Sequence, residues 1–392
     1  MTQSEEHGTA LKWMPTLYFT KGLLHVVVFV VALIMLKQSG LTNGETTFSV
    51  ALCYLPWALK FWWKPKFNWH RYCWLVILLS ELSLVLAFSF LAFALPTLWI
   101  TVVLLLLIAS FTAMHNVAVD TYYSISIGNR SSSRCKIIRE LSRKLAEVVG
   151  IGVLVMLVGN LQVVYRNAQL FSWRTTSYII AFICMLLFFW HLLVLPRRTA
   201  VALKKSSSSS DLSATSVVFL LTYLFATVMQ GKMAILFLTE NQSSGGLGLS
   251  PQEFGFVMGT VGVIGLTVGL ILGGKLIHRF SMLRLLLPMS LTLFVPSVIY
   301  VILSFFQPDN FALICLSVQL EQIAYGLGLS VYLAYQNETA NTEQAKSLMA
   351  CSMMLACALS GLIQMQLGYY SFFLVTLLLS LLGTLSVWMT RK

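Results

Sequence analysis

The chain has 392 residues, of which 58% are hydrophobic and only 10% charged, with 26 Lys and Arg against 14 Asp and Glu. Water-soluble domains carry about 25% charged residues, so this surface cannot face water; disorder, a coiled coil and a secreted disulfide scaffold are excluded with it. A β-barrel reads as short alternating segments, whereas the apolar runs here reach the roughly 20 residues that cross a bilayer as helix. What remains is an all-α polytopic membrane protein.

In chain order, a polar stretch from Met1 to Leu11 precedes the first apolar run. No small-residue cleavage site follows that run, so it is expected to stay as a membrane helix. The spacing predicts spans at about 16–37, 46–63, 72–94, 97–118, 145–165 and 175–195, then 215–239, 253–275, 282–306, 311–335, 347–367 and 370–390. Helix is required because lipid offers no partner to a free backbone group. Between the two sets, residues 196–214 hold Arg197, Arg198, Lys204, Lys205 and the run Ser206 to Ser210, a polar and flexible linker. Two sets of six spans around one linker suggest a tandem duplication. The expected fold is therefore twelve transmembrane helices in two six-helix bundles, residues 1–195 and 215–392, the major facilitator architecture.

The basic residues orient the chain. With both termini cytoplasmic, only Lys37, Arg166 and Arg174 of the 26 Lys and Arg fall outside, and Lys21, Lys60 and Lys232 fall within spans, leaving 20 on the inner segments. That bias is the positive-inside pattern, and the expected location is a cell inner (cytoplasmic) membrane. The net charge of +12 is thus a topology signal, and no basic, aromatic-laced face points to nucleic acid. The seven cysteines form no C-x-x-C pair, so neither zinc nor a disulfide framework is indicated; six lie in or beside apolar runs, and Cys135 in a basic loop. Gly255, Gly259, Gly262, Gly265, Gly269 and Gly273 form overlapping small-xxx-small patterns in the eighth span, which let a neighbouring backbone come close.

Ionisable groups at membrane depth cost several kcal/mol unless paired or wetted, so they are the best functional pointers. Lys21 and His25 lie on span one, Lys60 on span two, Glu81 on span three, His115 on span four with Asp120 just past its inner end, Glu147 at the start of span five, Lys232 on span seven and Glu321 on span ten. At 1.5 Å per residue, Lys21, Lys60 and Asp120 fall within about 8 Å of the inner boundary, where one charged cluster is expected. Lys232 and Glu321 lie roughly 10 and 15 Å below the outer boundary on the same rise and are expected to pair, touching the solute or its coupling ion. Glu147 is expected to meet Arg143 or Lys144. His25 and His115 have no second ligand at i+4, so polar cavity or packing roles suit them better than metal binding. The string from His115 to Asp120 matches an acyltransferase spacing, but five residues on a helix turn about 500°, so the two side chains diverge. No P-loop or G-x-S-x-G string appears. No cofactor, no metal and no enzyme activity are expected.

Tyr18-Phe-Thr-Lys-Gly-Leu23 resembles the first-helix segment of the AmpG muropeptide permeases and the related acetyl-coenzyme A transporters. Leu55-Pro-Trp-Ala-Leu-Lys-Phe61, with Trp63 and Pro65, resembles their second-helix signature. Ala113-Met-His-Asn-Val-Ala-Val-Asp-Thr-Tyr122 is similar to their fourth-helix motif, with Asn116 where the first of two acids usually stands and Asp120 at the second. Glu321-Gln-Ile-Ala-Tyr-Gly-Leu-Gly-Leu329 is similar to their tenth-helix motif, and Gly274 to Arg279 resembles the basic loop of major facilitators. Asn68 and His278 stand where the loop signatures usually carry Asp, and Leu224 and Thr227 where the seventh helix usually has Lys and an acid.

This resemblance implies a permease of the symporter type. It would import an anhydro-sugar peptide or a similarly sized polar metabolite with protons, or sodium, by alternating access, and work as a monomer in the lipid bilayer. Glu321 and Asp120 are the acids expected to carry the proton. Lys232, Lys21 and Lys60 are expected to neutralise an anionic solute, and Tyr325, Trp57 and Tyr54 to stack on a sugar or ring. Two alternatives stay open: a transporter descendant that senses or scaffolds, suggested by the absent acids, and a membrane acyltransferase.

Overall fold

The computed structural model describes residues 3–66, 69–127, 133–166, 168–197, 213–339 and 343–390. Most of the expected linker, with Arg198, Lys204, Lys205 and the serine run, lies outside the described residues, as do Asn68 and Arg130.

Every regular element among the described residues is helical. Among the described residues, ten helices are long and apolar enough to cross a membrane. They comprise α1 (Leu11–Gln38), α3 (Arg71–Ala94), α4 (Leu98–Ser126), α5 (Cys135–Val164), α6 (Gln169–Val194), α7 (Ala214–Thr239), α8 (Pro251–Arg279), α9 (Met282–Phe306), α10 (Phe311–Asn337) and one long element, Glu343–Trp388. Gly368 divides that last element: its φ of +76° lies in the left-handed region that glycine enters without a Cβ penalty. Residues 343–367 are α11 and 369–390 are α12. The second span, α2, is a broken helix over 43–63, built from Asn43–Leu52 and the single turns Leu55–Ala58 and Lys60–Trp63. Pro56 near the start of the middle turn lacks the N–H that would carry the helix through. The apolar runs thus give twelve segments, as the sequence predicts.

Local signals fix several helix starts. Thr42 and Glu45 make a reciprocal capping box at α2, and Ser250 with Glu253 does the same at α8, where Pro251 takes the first position. Both satisfy N–H groups that a helix leaves bare. Three π turns interrupt α1, α5 and α8, at Val27–Val31, Val148–Leu154 and Val257–Gly262. Large apolar side chains point outward along the helices, with Trp99 84% and Leu193 82% exposed, as a lipid-facing surface requires.

The chain forms two compact units, Met1–Ala32 with Trp62–Ser207, and Leu33–Phe61 with Ser208–Lys392. In the first, α3 packs on both α4 and α6, and α1 on α5. Its core includes Trp13, Leu17, Ile77, Val117 and Tyr122, with the Trp13 and Tyr122 rings edge to face at 5.0 Å. In the second, α8 packs on α10, and α2 and α7 pack on the element that contains α11 and α12. Its core is aromatic, with Tyr223 stacked on Tyr332 at 5.4 Å and Phe219 beside both.

The glycine stripe of α8 does what its spacing predicts. A Cβ on Gly269 would stand 2.3 Å from the Ile323 carbonyl oxygen, and one on Gly326 of α10 would stand 2.7 Å from the Leu266 oxygen. Backbone meets backbone here, so neither side can yield. Gly269→Val is expected to lower stability by about 1–3 kcal/mol through overpacking. Gly274→Ala, where a Cβ meets nothing within 4 Å, leaves stability unchanged or slightly raised. Melting curves of the two variants in detergent check the pair.

Candidate functional site

Polar groups gather at several places in each unit. In the second unit Lys232 of α7 is only 8% exposed, and its ammonium lies 5.6 Å from the centre of the Tyr54 ring of α2, within cation–π range. Cys53 and Cys357 lie close enough to act on that ammonium, and Tyr325 of α10 close enough to act on the Tyr54 hydroxyl. The structure thus brings together Lys232, Tyr54 and Tyr325 from the expected set. The Trp57 carbonyl accepts from the Ser347 hydroxyl at 3.5 Å.

Glu321 is also buried, 6% exposed, but its pairing with Lys232 is not made. Among the described residues no ion pair joins the two; Gln322 Nε2 donates to Glu321 Oε2 at 2.8 Å instead. Glu321 lies near enough to Tyr300 of α9 to act on its hydroxyl, while the Lys232 ammonium sits at the Tyr54 ring of α2. The expected cluster of Lys21, Lys60 and Asp120 is likewise divided. Lys21 pairs with Asp120 at 2.6 Å in the first unit, while Lys60 pairs with Glu343 at 3.2 Å in the second.

A further network in the second unit was not legible in the sequence. Glu240, just past α7, accepts from Lys37 at 3.0 Å, from Asn43 Nδ2 at 3.1 Å and from the Tyr369 hydroxyl. Asn43 also donates to Gln364 at 2.8 Å, and the Gly44 N–H beside it reaches the Met365 sulfur at 3.1 Å. Burial pushes the Glu240 carboxyl up, but the bonds from Tyr369, Asn43 and Lys37 outweigh it and hold the group below the ordinary glutamate range.

In the first unit, Lys21 and Asp120 are flanked by aromatic rings. Arg139 lies 5.0 Å from the Tyr18 ring and 4.6 Å from that of Tyr123, and Lys21 itself 5.7 Å from Tyr18. Glu147 meets Lys144 at 2.7 Å. His25 is exposed, with its ring 4.7 Å from Phe29.

Deeper in the same unit, Glu81 of α3 is 1% exposed, and His115 of α4 and His191 of α6 are fully buried. Glu81 Oε1 meets His191 Nδ1 at 2.7 Å and His115 Nε2 at 3.2 Å. His191 Nε2 meets the Thr16 hydroxyl of α1 at 3.0 Å. His115 and Asp120 therefore go to different partners, as the helical turn between them predicts. Asn116 is buried beside His115, and its Oδ1 has no partner. His191 and Thr16 were not singled out from the sequence. The depth rule that selects His25 and His115 selects His191 equally, since it stands inside the sixth apolar run. Among the described residues no group of three or more His, Cys, Asp or Glu is placed to hold a metal ion.

A cleft of about 420 Å³ lies at the α7–α8 and α9–α10 turns of the second unit, lined by residues such as Asn241, Glu253 and Asp309. It does not include Lys232 or Glu321.

No protein-family model and no curated protein sequence matches the chain. Solved structures do. The nucleoside transporter NupG superposes with a TM-score of 0.69 at 12% identity, covering 98% of this chain and 99% of that one. An inward-facing, unoccupied bacterial homologue of the human lysosomal transporter Spinster gives 0.68 at 14% identity, covering 100% and 98%. An inward-facing bacterial homologue of the iron transporter ferroportin gives 0.66 at 14%, covering both chains in full. The fold is thus the major facilitator fold of membrane transporters, spanning the whole chain.

Glu240 gives a pH signature. Its pKa is lower folded than unfolded, so its network stabilises fully above the ordinary glutamate value of about 4.3 and loses that contribution as pH falls through the lower folded value. Glu240→Gln should melt lower than the parent at neutral pH, and the gap should close on acidification. Melting temperatures of both proteins across that range measure it.

Proposed function

We propose that the chain is a secondary transporter that carries a polar solute across the cytoplasmic membrane by alternating access, its two sequence halves rocking about a central site. The observation that supports this most is Lys232, a buried cation set over Tyr54 with Tyr325 nearby, on a fold shared from end to end with transporters. A cation at membrane depth is expensive, and an anionic or sugar-like solute stacking on these rings would use both its charge and the aromatic faces.

By resemblance to the AmpG-like permeases, the solute is an anhydro-sugar peptide of the cell wall, imported with protons. Both termini are cytoplasmic and the working unit is a monomer. Glu321 is the acid of the second unit that exchanges the coupling proton. Lys21 and Asp120 form an ion pair near the inner face that breaks and re-forms as α1 and α4 move, and Lys60 with Glu343 does the same between α2 and α11.

Uptake into proteoliposomes under an inward proton gradient tests this reading, with anhydro-sugar wall peptides and nucleosides as the panel. Accumulation of the wall peptides is expected, and Lys232→Ala should reduce it at least tenfold. Glu321→Gln should abolish gradient-driven accumulation while sparing exchange of solute across the membrane. A folded parent that accumulates nothing in the panel would favour a sensor or scaffold descended from a transporter.

A further inference from the structure

Glu81, His115, His191 and Thr16 sit where lipid-depth burial permits polar groups only if they are matched, yet the matching is incomplete. A purely structural cluster would satisfy all of its atoms, because an orphaned buried polar atom costs about 1–3 kcal/mol. Among the described residues, Glu81 Oε2 and His115 Nδ1 are buried and have no hydrogen-bond partner.

The proton count of the rest follows from the hydrogen bonds. Thr16 has one hydroxyl hydrogen, and its Oγ1 donates to the Trp13 carbonyl at 3.0 Å. Its oxygen therefore accepts from His191 Nε2, while His191 Nδ1 donates to Glu81. With Glu81 ionised, both ring nitrogens of His191 then carry hydrogen, and the ring is an imidazolium facing a carboxylate. If Thr16 instead turns its hydrogen to His191 Nε2 and releases the Trp13 carbonyl, His191 is neutral and one proton has left. Two hydrogen-bond arrangements, differing by one proton, share one set of heavy-atom positions.

We propose that Glu81, His115, His191 and Thr16 form a proton-binding site that links protonation to the packing of α1, α3, α4 and α6. Its role in transport rests on the transporter reading above; its titration does not. Changing the net charge of a dry site is costly, so the proton exchanges only when these helices part enough to admit water. The other groups facing the site are few. Cys184 of α6 is near enough to Glu81 to interact with it, and Asn116 comes from α4. Five residues along α1 and α4, about 7.5 Å at helical rise, Lys21 and Asp120 pair, with Asp120 53% exposed at its side chain. Parting α1 from both α4 and α6 therefore opens the ion pair and the Thr16–His191 bond together, and Asp120 is the exposed group on the way in.

Acid-minus-alkaline infrared difference spectra of the full chain in lipid vesicles, in H2O and D2O, test this. A deuterium-sensitive imidazole signal, with a shift of the carboxylate facing it, is expected in the parent. It should be lost in Glu81→Gln, altered in His191→Asn and retained in Glu45→Gln, whose carboxylate is exposed at a helix cap. Identical spectra in the parent and Glu81→Gln overturn the proposal. Should Glu81→Gln fail to fold, nitrogen-15 spectra of the six histidines in the parent, assigned with His115→Asn and His25→Ala, decide it. A doubly protonated buried ring that loses one proton on alkalinisation supports the site, and six rings that each either stay unchanged or titrate as exposed imidazoles sink it. Titration without uptake of any solute would sink the transporter reading alone, and proton-driven uptake without titration would sink this inference alone.

Discussion

Away from water, a charged side chain has to be matched by another side chain, and in this molecule the matching decides which helices meet. Glu81 draws α4 and α6 to α3, Lys21 ties α1 to α4, and Glu240 joins the end of α1 to the start of α12 through Lys37 and Tyr369. Apolar contact cannot select partners this way, because lipid tails are as apolar as the helix faces. Shape does the rest. The α8–α10 contact is made by removing side chains, with Gly269 and Gly326 bringing two backbones together.

The elements of the fold were legible in the sequence because hydrophobicity is summed along a helix and needs no knowledge of its rotation. The twelve segments and the close-packing stripe of α8 follow from local composition. Two features needed the third dimension. The break in α2 at Pro56 turns one expected span into three short pieces, and the left-handed Gly368 bends two spans that the sequence reads as merely adjacent.

Sites were read less completely, since depth is a one-dimensional quantity and azimuth is not. Depth placed Lys21 beside Asp120 and found Glu81 and His115. It could not separate Lys60 from Lys21, which have different partners, nor show that Glu321 takes its hydrogen bond from Gln322 and not from Lys232. His191 obeyed the same rule as the other histidines and was passed over. Glu240 was missed because it stands at a helix end, where an acid ordinarily meets water; its three partners come from residues 37, 43 and 369, far away along the chain.

The allocation of residues 33–61 has a bearing on how the polypeptide can be divided. Those residues precede most of the first compact unit in the chain, yet they are part of the second. The backbone therefore passes from one unit to the other three times. A protease that cut only within 196–214 would leave an N-terminal fragment still holding a piece of the other fragment's fold. The nicked product should migrate as one particle until denatured, and co-expressed halves would need each other to complete a single core.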